Sequence, residues 1–215
     1  MEALARLAYA MVIGTIYFEA KPVEKILDEA LGLAKQAARL DDQDAMARFA
    51  LGRTHLARGQ YGPSVRELET AIELNPSFAQ AHCGLGDSLA YSGRLEESIP
   101  RFEEAVRLSP HDPHRWAFLM YGSMAYLFRH EYEAAAQWGS EAAGVPNSHY
   151  GANAALVAAL GHLDRPQETQ TALAELLELK PDFSCRLARE RLFYLEDQTQ
   201  LDHYIDGLRN AGLPE

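Results

Sequence analysis

Cysteine is scarce in this chain: 215 residues hold two, Cys83 and Cys185, far apart. A disulfide framework is not supported, so packing must hold the fold, and a reducing, cytoplasmic setting is expected. Basic charge is also short. Twenty Lys and Arg face 31 Asp and Glu, a formal net charge of −11. That balance opposes phosphate binding and anionic membrane surfaces, so neither nucleic acid nor lipid is expected as a partner. Long apolar runs are missing too. Ala8 to Phe18 is 11 residues, against roughly 20 for a membrane span. Glu2 precedes Arg6, and Tyr17-Phe18-Glu19 ends the run, which does not fit a signal peptide. The segment is expected to be a buried helix. Low-complexity segments, a Gly-rich phosphate loop and a nucleophile elbow are absent.

What the chain does have is a ladder of prolines. Pro76, Pro110, Pro146 and Pro181 are spaced by 34 (110−76), 36 (146−110) and 35 (181−146) residues. Three share a context: Leu74-Asn75-Pro76, Leu108-Ser109-Pro110 and Leu179-Lys180-Pro181. A period near 34 closed by proline, which cannot continue a helix, marks an array of helical hairpins. The first helix of each hairpin carries paired large and small residues, Leu51-Gly52 and Leu85-Gly86. The second carries Leu68 and Ala71, or Phe102 and Ala105. Small residues let the two helices approach and large ones fill the space left. Gly59 and Gly93 stop the first helices by adopting positive φ.

Looser copies follow. Leu119, Gly122, Ser123 and Tyr126 lead through His130-Glu131-Tyr132 to Ala135 and Ala142, with extra residues near Pro113. Leu156 and Leu160 lead through Asp164-Arg165-Pro166 to Leu173, Leu176 and Leu179. Upstream, Leu4, Leu7, Ala8 and Met11 precede Ala30, Ala34 and Ala37. The expectation is five hairpins, about 1–42, 43–76, 77–112, 113–147 and 148–182. Residues 183–215 are expected to cap the open end. Within them, Asp197 and Gln200 read as a capping box opening a helix that stops at Gly212.

These residues resemble the tetratricopeptide repeat (TPR) family over almost the whole chain. The resemblance implies an all-α fold, a right-handed TPR superhelix or α-solenoid, and a scaffold for protein–protein interaction. The ending is similar to a narrower group. Leu179-Lys180-Pro181-Asp182-Phe183-Ser184, Leu201 to Arg209 and Ala211-Gly212-Leu213-Pro214-Glu215 resemble the tails of bacterial TPR regions that follow a class III adenylate or guanylate cyclase or a winged-helix regulator. That likeness implies a sensory or docking module attached, now or formerly, to such an output domain. No strand pattern for cyclase metal ligands and no basic recognition helix is present, so the catalysis does not carry over.

In such arrays the first helices line the concave side. By register the candidate partner-binding groove is Ala5, Tyr9 and Ile13; Phe49, Arg53 and Leu56; Cys83, Asp87 and Tyr91; Met120, Met124 and Phe128; Ala154, Ala158 and His162. Most are apolar or aromatic, suited to adaptable contact. Two readings stand: an open groove for an apolar peptide or helical segment, or burial by tighter winding. An exposed apolar surface this long would need a partner. Family members that clamp a C-terminal carboxylate use Lys, Asn and Arg at positions held here by Phe49, Arg53, Gly84, Ala117 and Tyr121. Only Arg53 is basic, which argues against that clamp.

Catalytic residues, cofactors and metals are not expected. His111-Asp112-Pro113-His114 is too small a ligand set for zinc and reads as a capping loop. Glu96-Glu97 and Glu103-Glu104 read as solvated helix faces. The function expected is a non-catalytic interaction module. Its rival is self-assembly, with a homodimer forming through an N-terminal helix that is apolar on most faces.

Overall fold

The structure is a computed structural model, and it describes residues 2–215. Twelve helices and no strand occur among the described residues. Five antiparallel hairpins come first: α1 (Glu2–Tyr17) with α2 (Val23–Leu40), α3 (Ala45–Ala57) with α4 (Tyr61–Leu74), and α5 (Ala79–Tyr91) with α6 (Leu95–Leu108). Then α7 (Arg115–Phe128) pairs with α8 (Tyr132–Ala143), and α9 (Tyr150–Leu160) with α10 (Pro166–Leu179). A short α11 (Cys185–Arg191) and α12 (Gln198–Asn210) close the chain.

Each hairpin is tight where the sequence is small. The Phe102 ring lies against Gly86, Leu68 lies against Gly52, and Trp138 lies against Gly122. Two of the turns use positive φ at Gly59 (69°) and Gly93 (80°). The third places His130 there instead, at φ 62°, a conformation that costs a side chain some free energy. Pro22 precedes α2, Pro63 lies in the first turn of α4, and Pro166 opens α10, where a missing N–H matters least. The linker before α7 runs from 109 to 114, longer than the 75–78 linker before α5. This accommodates the extra residues near Pro113.

The odd-numbered helices of the hairpins form the inner layer, and their buried surfaces are nearly continuous. Ser64 Oγ donates to the Gly52 carbonyl at 2.7 Å, and Ser123 Oγ to the Ala135 carbonyl at the same distance. These bonds satisfy buried hydroxyls between the two helices of a hairpin.

Two details differ from the sequence reading. The exposed large apolar residues near the N-terminus are Leu7 in α1, at 51%, and Phe18 just after it, at 74%. Ile16 is buried and Ile13 half-buried, because the inner side of α1 is covered within its own chain. The capping box is also only half made. Asp197 accepts from Thr199 N and Gln200 N, but the Gln200 side chain does not turn back. It donates to the Ala90 carbonyl at the end of α5, at 3.0 Å.

Candidate functional site: a concave groove holding its own C-terminal segment

Residues 183–210, here called the strap, leave the last hairpin and cross the concave side. Arg191 Nη2 donates to the Ile16 carbonyl of α1 at 2.9 Å. Glu196 sits against Gly59 at the α3–α4 turn. Tyr61 Oη donates to the Tyr194 carbonyl at 2.5 Å and accepts from Glu196 N at 2.9 Å. The Tyr194 ring packs on Tyr91 of α5, centroids 5.7 Å apart. Helix α12 packs on α9 and α7. At the α9 crossing, Gly161 and Gly207 meet so closely that a β-carbon on either would enter the other helix's backbone. The strap thus touches all five inner-layer regions.

The groove residues expected from the repeat register fall beneath or beside it. Phe49, Arg53, Leu56, Cys83, Asp87 and Tyr91 are buried, as are Met120, Met124, Phe128, Ala154 and Ala158. Ala5 is fully buried, while Tyr9, Ile13 and His162 are half-buried. Little open volume remains. One cavity of about 60 Å³ lies between α1, α7, α9 and the strap, lined by Tyr17, Met120, His149 and Tyr194. Another of about 20 Å³ lies at the mouth beside Tyr9, Arg53 and Cys83. Neither admits a peptide as the chain stands. Of the two readings, burial holds for most of these residues, and the cover is the chain's own C-terminal segment instead of tighter winding. A larger hollow, about 810 Å³, lies on the outer side between α8 and α10, rimmed by Glu133, Glu141, Glu168 and Glu175.

The groove centre is polar. Arg53 Nη1 donates to Asp87 Oδ2, with the residues 4% and 1% exposed. Burial pushes the Asp87 carboxyl up to about 6, and Arg53 pulls the other way. Tyr17 and Tyr121 share a hydrogen bond of 2.7 Å nearby. Burial drives the Cys83 thiol well above its ordinary value, and Asp87 adds to this. That chemistry makes Cys83 an inert packing group and not a nucleophile.

Hydrogen bonding at the strap is incomplete. Among the described residues, Arg53 Nε, Asp87 Oδ1 and Tyr91 Oη find no partner on the groove side. Arg191 Nε, Gln200 Oε1 and His203 Nε2 find none on the strap side. Buried atoms left this way cost about 1–3 kcal/mol each. Among the described residues Arg58 Nε, His82 Nδ1 and Asn153 Oδ1, on the hairpins, are also without a partner.

The loop 111–114 places Asp112 Oδ1 to accept from His114 N at 2.8 Å, a turn stabilised by its own side chain. Among the described residues no group of three or more His, Cys, Asp or Glu has a geometry that could hold a metal ion. Sequence reasoning missed the strap's inward course and a cluster of three histidines, His130, His162 and His203. The run Phe193-Tyr194-Leu195, apolar yet outside any repeat, was the available signal for the first.

Comparison with known proteins agrees with the repeat fold. The tetratricopeptide repeat family model matches residues 49–113 and 83–149. The TPR repeat-containing protein YpiA of Bacillus subtilis is 35% identical over 80 residues, 36% of this chain. The matched region is only 19% of that relative's length. Among solved structures, the TPR protein TTC0263 of Thermus thermophilus superposes with a TM-score of 0.66 at 18% identity, covering 95% of this chain and 99% of that one. YrrB, described as a TPR protein with an unusual peptide-binding site, superposes at 0.55 with 17% identity, covering 73% and 79%. Residues 49–149 match the tetratricopeptide repeat family, and the described residues have the all-α solenoid fold of TPR proteins.

Proposed function

We propose that this protein is a non-catalytic docking module whose concave groove takes an apolar, helical protein segment, with the strap as its resident occupant. The observation that carries this is the strap itself. The groove holds a short helix and an aromatic run, joined to it through several buried polar atoms without partners. A partner offering similar apolar side chains and better-placed polar groups would compete for the same surface. The peptide-binding site named for YrrB is in keeping with this reading. So is the resemblance of residues 179–184 and 201–215 to the endings of cyclase- and regulator-linked arrays, because those segments flank and form the strap. A regulated docking module is the role such an ending implies.

The test uses the full chain and a fluorescent synthetic peptide of residues 183–204. Gly207→Val should push α12 off α9, and Gly161→Val should do the same from the other side. Fluorescence anisotropy should then show the peptide binding either variant at least about tenfold more tightly than wild type, since the strap lowers the competent fraction. A peptide with Tyr194→Ala and Leu195→Ala should lose that binding. Variants that keep the hairpins helical, release α12 and still bind no peptide would refute the groove reading.

A further inference from the structure

Three imidazoles from three separate elements meet where α12 docks. His130 occupies the left-handed position of the α7–α8 turn, His162 follows α9, and His203 lies in α12. The His203 ring centroid is 4.4 Å from that of His130 and 4.3 Å from that of His162. Tyr132 of α8 stacks on the far face of this group, 4.8 Å from His162 at an interplanar angle of 14°. His162 Nε2 donates to the His203 carbonyl at 3.1 Å, and His130 Nδ1 is bonded to Tyr132 Oη at 2.7 Å. His203 Nε2 is buried with no partner among the described residues. The cluster lies beside the Gly161–Gly207 crossing, the tightest contact the strap makes.

The surroundings favour a neutral His203. From the turn after α9 and the α7–α8 turn His203 faces the other two imidazoles, from α8 the Tyr132 ring at 5.8 Å, and from α7 the Leu127 carbonyl. On its own helix it faces Asp206, whose carboxylate is tied to Arg209 at 2.5 Å. The neighbouring charges are already engaged: Arg189 of α11 pairs with Asp202 at 2.8 Å, and Arg129 with Glu131 at 2.7 Å. Burial and then the two imidazoles hold His203 below the ordinary histidine range.

We infer that the His130–His162–His203 stack is a pH-operated clasp: with His203 neutral it keeps α12 docked, and protonation of His203 between its two neighbours releases the strap and opens the groove to a partner. The sign follows from proton counts. The docked state resists protonation of His203 and the released state does not, so docking is fully favoured above the ordinary histidine value of about 6.5. Below it, docking weakens by up to about tenfold per pH unit for each extra proton taken up on release.

This inference rests on the groove reading, but its test is separate. Hydrogen exchange of the full chain is followed by mass spectrometry at pH 7.5 and 5.5, each normalised to intrinsic exchange rates. Peptides from α12 should lose protection by about fivefold to tenfold at pH 5.5 relative to peptides from α5 and α6. His203→Gln should cut that differential loss to about threefold or less, and His162→Gln should act in the same direction through a different helix. Equal protection of α12 and α5–α6 at both pH values, or full acid loss retained in both variants, would overturn the clasp. Failure of the released groove to bind the strap peptide would overturn the groove reading and leave the pH measurement standing.

Discussion

Arg53 and Asp87 form an ion pair between α3 and α5, one repeat apart, under the strap. Each stands at the same register position of its own repeat. The pair leaves Arg53 Nε and Asp87 Oδ1 without partners among the described residues, so neither charge is fully compensated. Arg53→Met alone strands a buried carboxylate and should cost about 3–5 kcal/mol at pH 8. Arg53→Met with Asp87→Leu should cost much less, because no charge remains inside. The pH dependence has a definite sign. Burial raises the Asp87 carboxyl to about 6, so its contribution to stability is greatest below the ordinary aspartate value and is lost as pH rises through about 6. The Arg53→Met penalty should therefore be smaller at pH 5 than at pH 8. Urea denaturation at both values checks this, and an equal penalty at both would rule it out.

Glycine to alanine should act in opposite directions at two helical sites. A β-carbon on Gly86 would stand 2.8 Å from the Phe102 ring, itself buried and unable to retreat. Gly86→Ala should cost about 1–3 kcal/mol by overpacking. Gly32 lies inside α2, exposed, with nothing within 4 Å of that position. Gly32→Ala should stabilise by about 0.5–1 kcal/mol, the helix-propensity difference. Thermal melts of the two variants should move apart, and movement in the same direction would contradict the packing described.

The hairpins were readable because their packing repeats. Leu51-Gly52 and Leu85-Gly86 stand 34 residues apart and solve the same local problem, helix against helix, with the same residue sizes. The strap solves a problem stated only once. Arg191 meets Ile16 across 175 positions and Tyr61 meets Tyr194 across 133, and no period announces such pairs. Register placed Tyr91 and Met124 on the inner helices but carried no information about what would cover them. The histidine cluster was hidden for a related reason. His130 stands where two other turns use glycine, and His203, which completes the cluster, comes from α12, 73 (203−130) positions away and outside any repeat.

His149 should stay neutral far into acid. Its Nδ1 accepts from Gly151 N at 3.0 Å, so its Nε2 carries the proton and donates to the Tyr17 carbonyl at 3.2 Å. Burial lowers its pKa to about 4, against the pull of that carbonyl. A histidine depressed in the fold contributes stability that is complete above about 6.5 and lost as pH falls toward 4. The His149 ring should titrate near 4 by NMR, and His149→Gln should flatten the decline in stability between pH 6.5 and 4. A titration midpoint at 6 or above would show that the α9 N-terminus is more open than described.

Tyr61 ties the strap to the first turn of α4 through one hydroxyl acting in both senses, donating to the Tyr194 carbonyl and accepting from Glu196 N. Tyr61→Phe keeps the ring, and hence its packing near Tyr91 at a centroid distance of 6.2 Å, but removes both bonds. Two backbone groups then lose their partner, at about 1–3 kcal/mol for each that stays buried. The loss falls on the strap, because the α3–α4 packing of Gly52 on Leu68 does not involve the hydroxyl. Limited proteolysis should therefore cut Tyr61→Phe faster than wild type between residues 192 and 198, with the hairpins intact. Faster cleavage spread evenly over α3 and α4 would mean that Tyr61 holds its own hairpin together and is no latch for the strap.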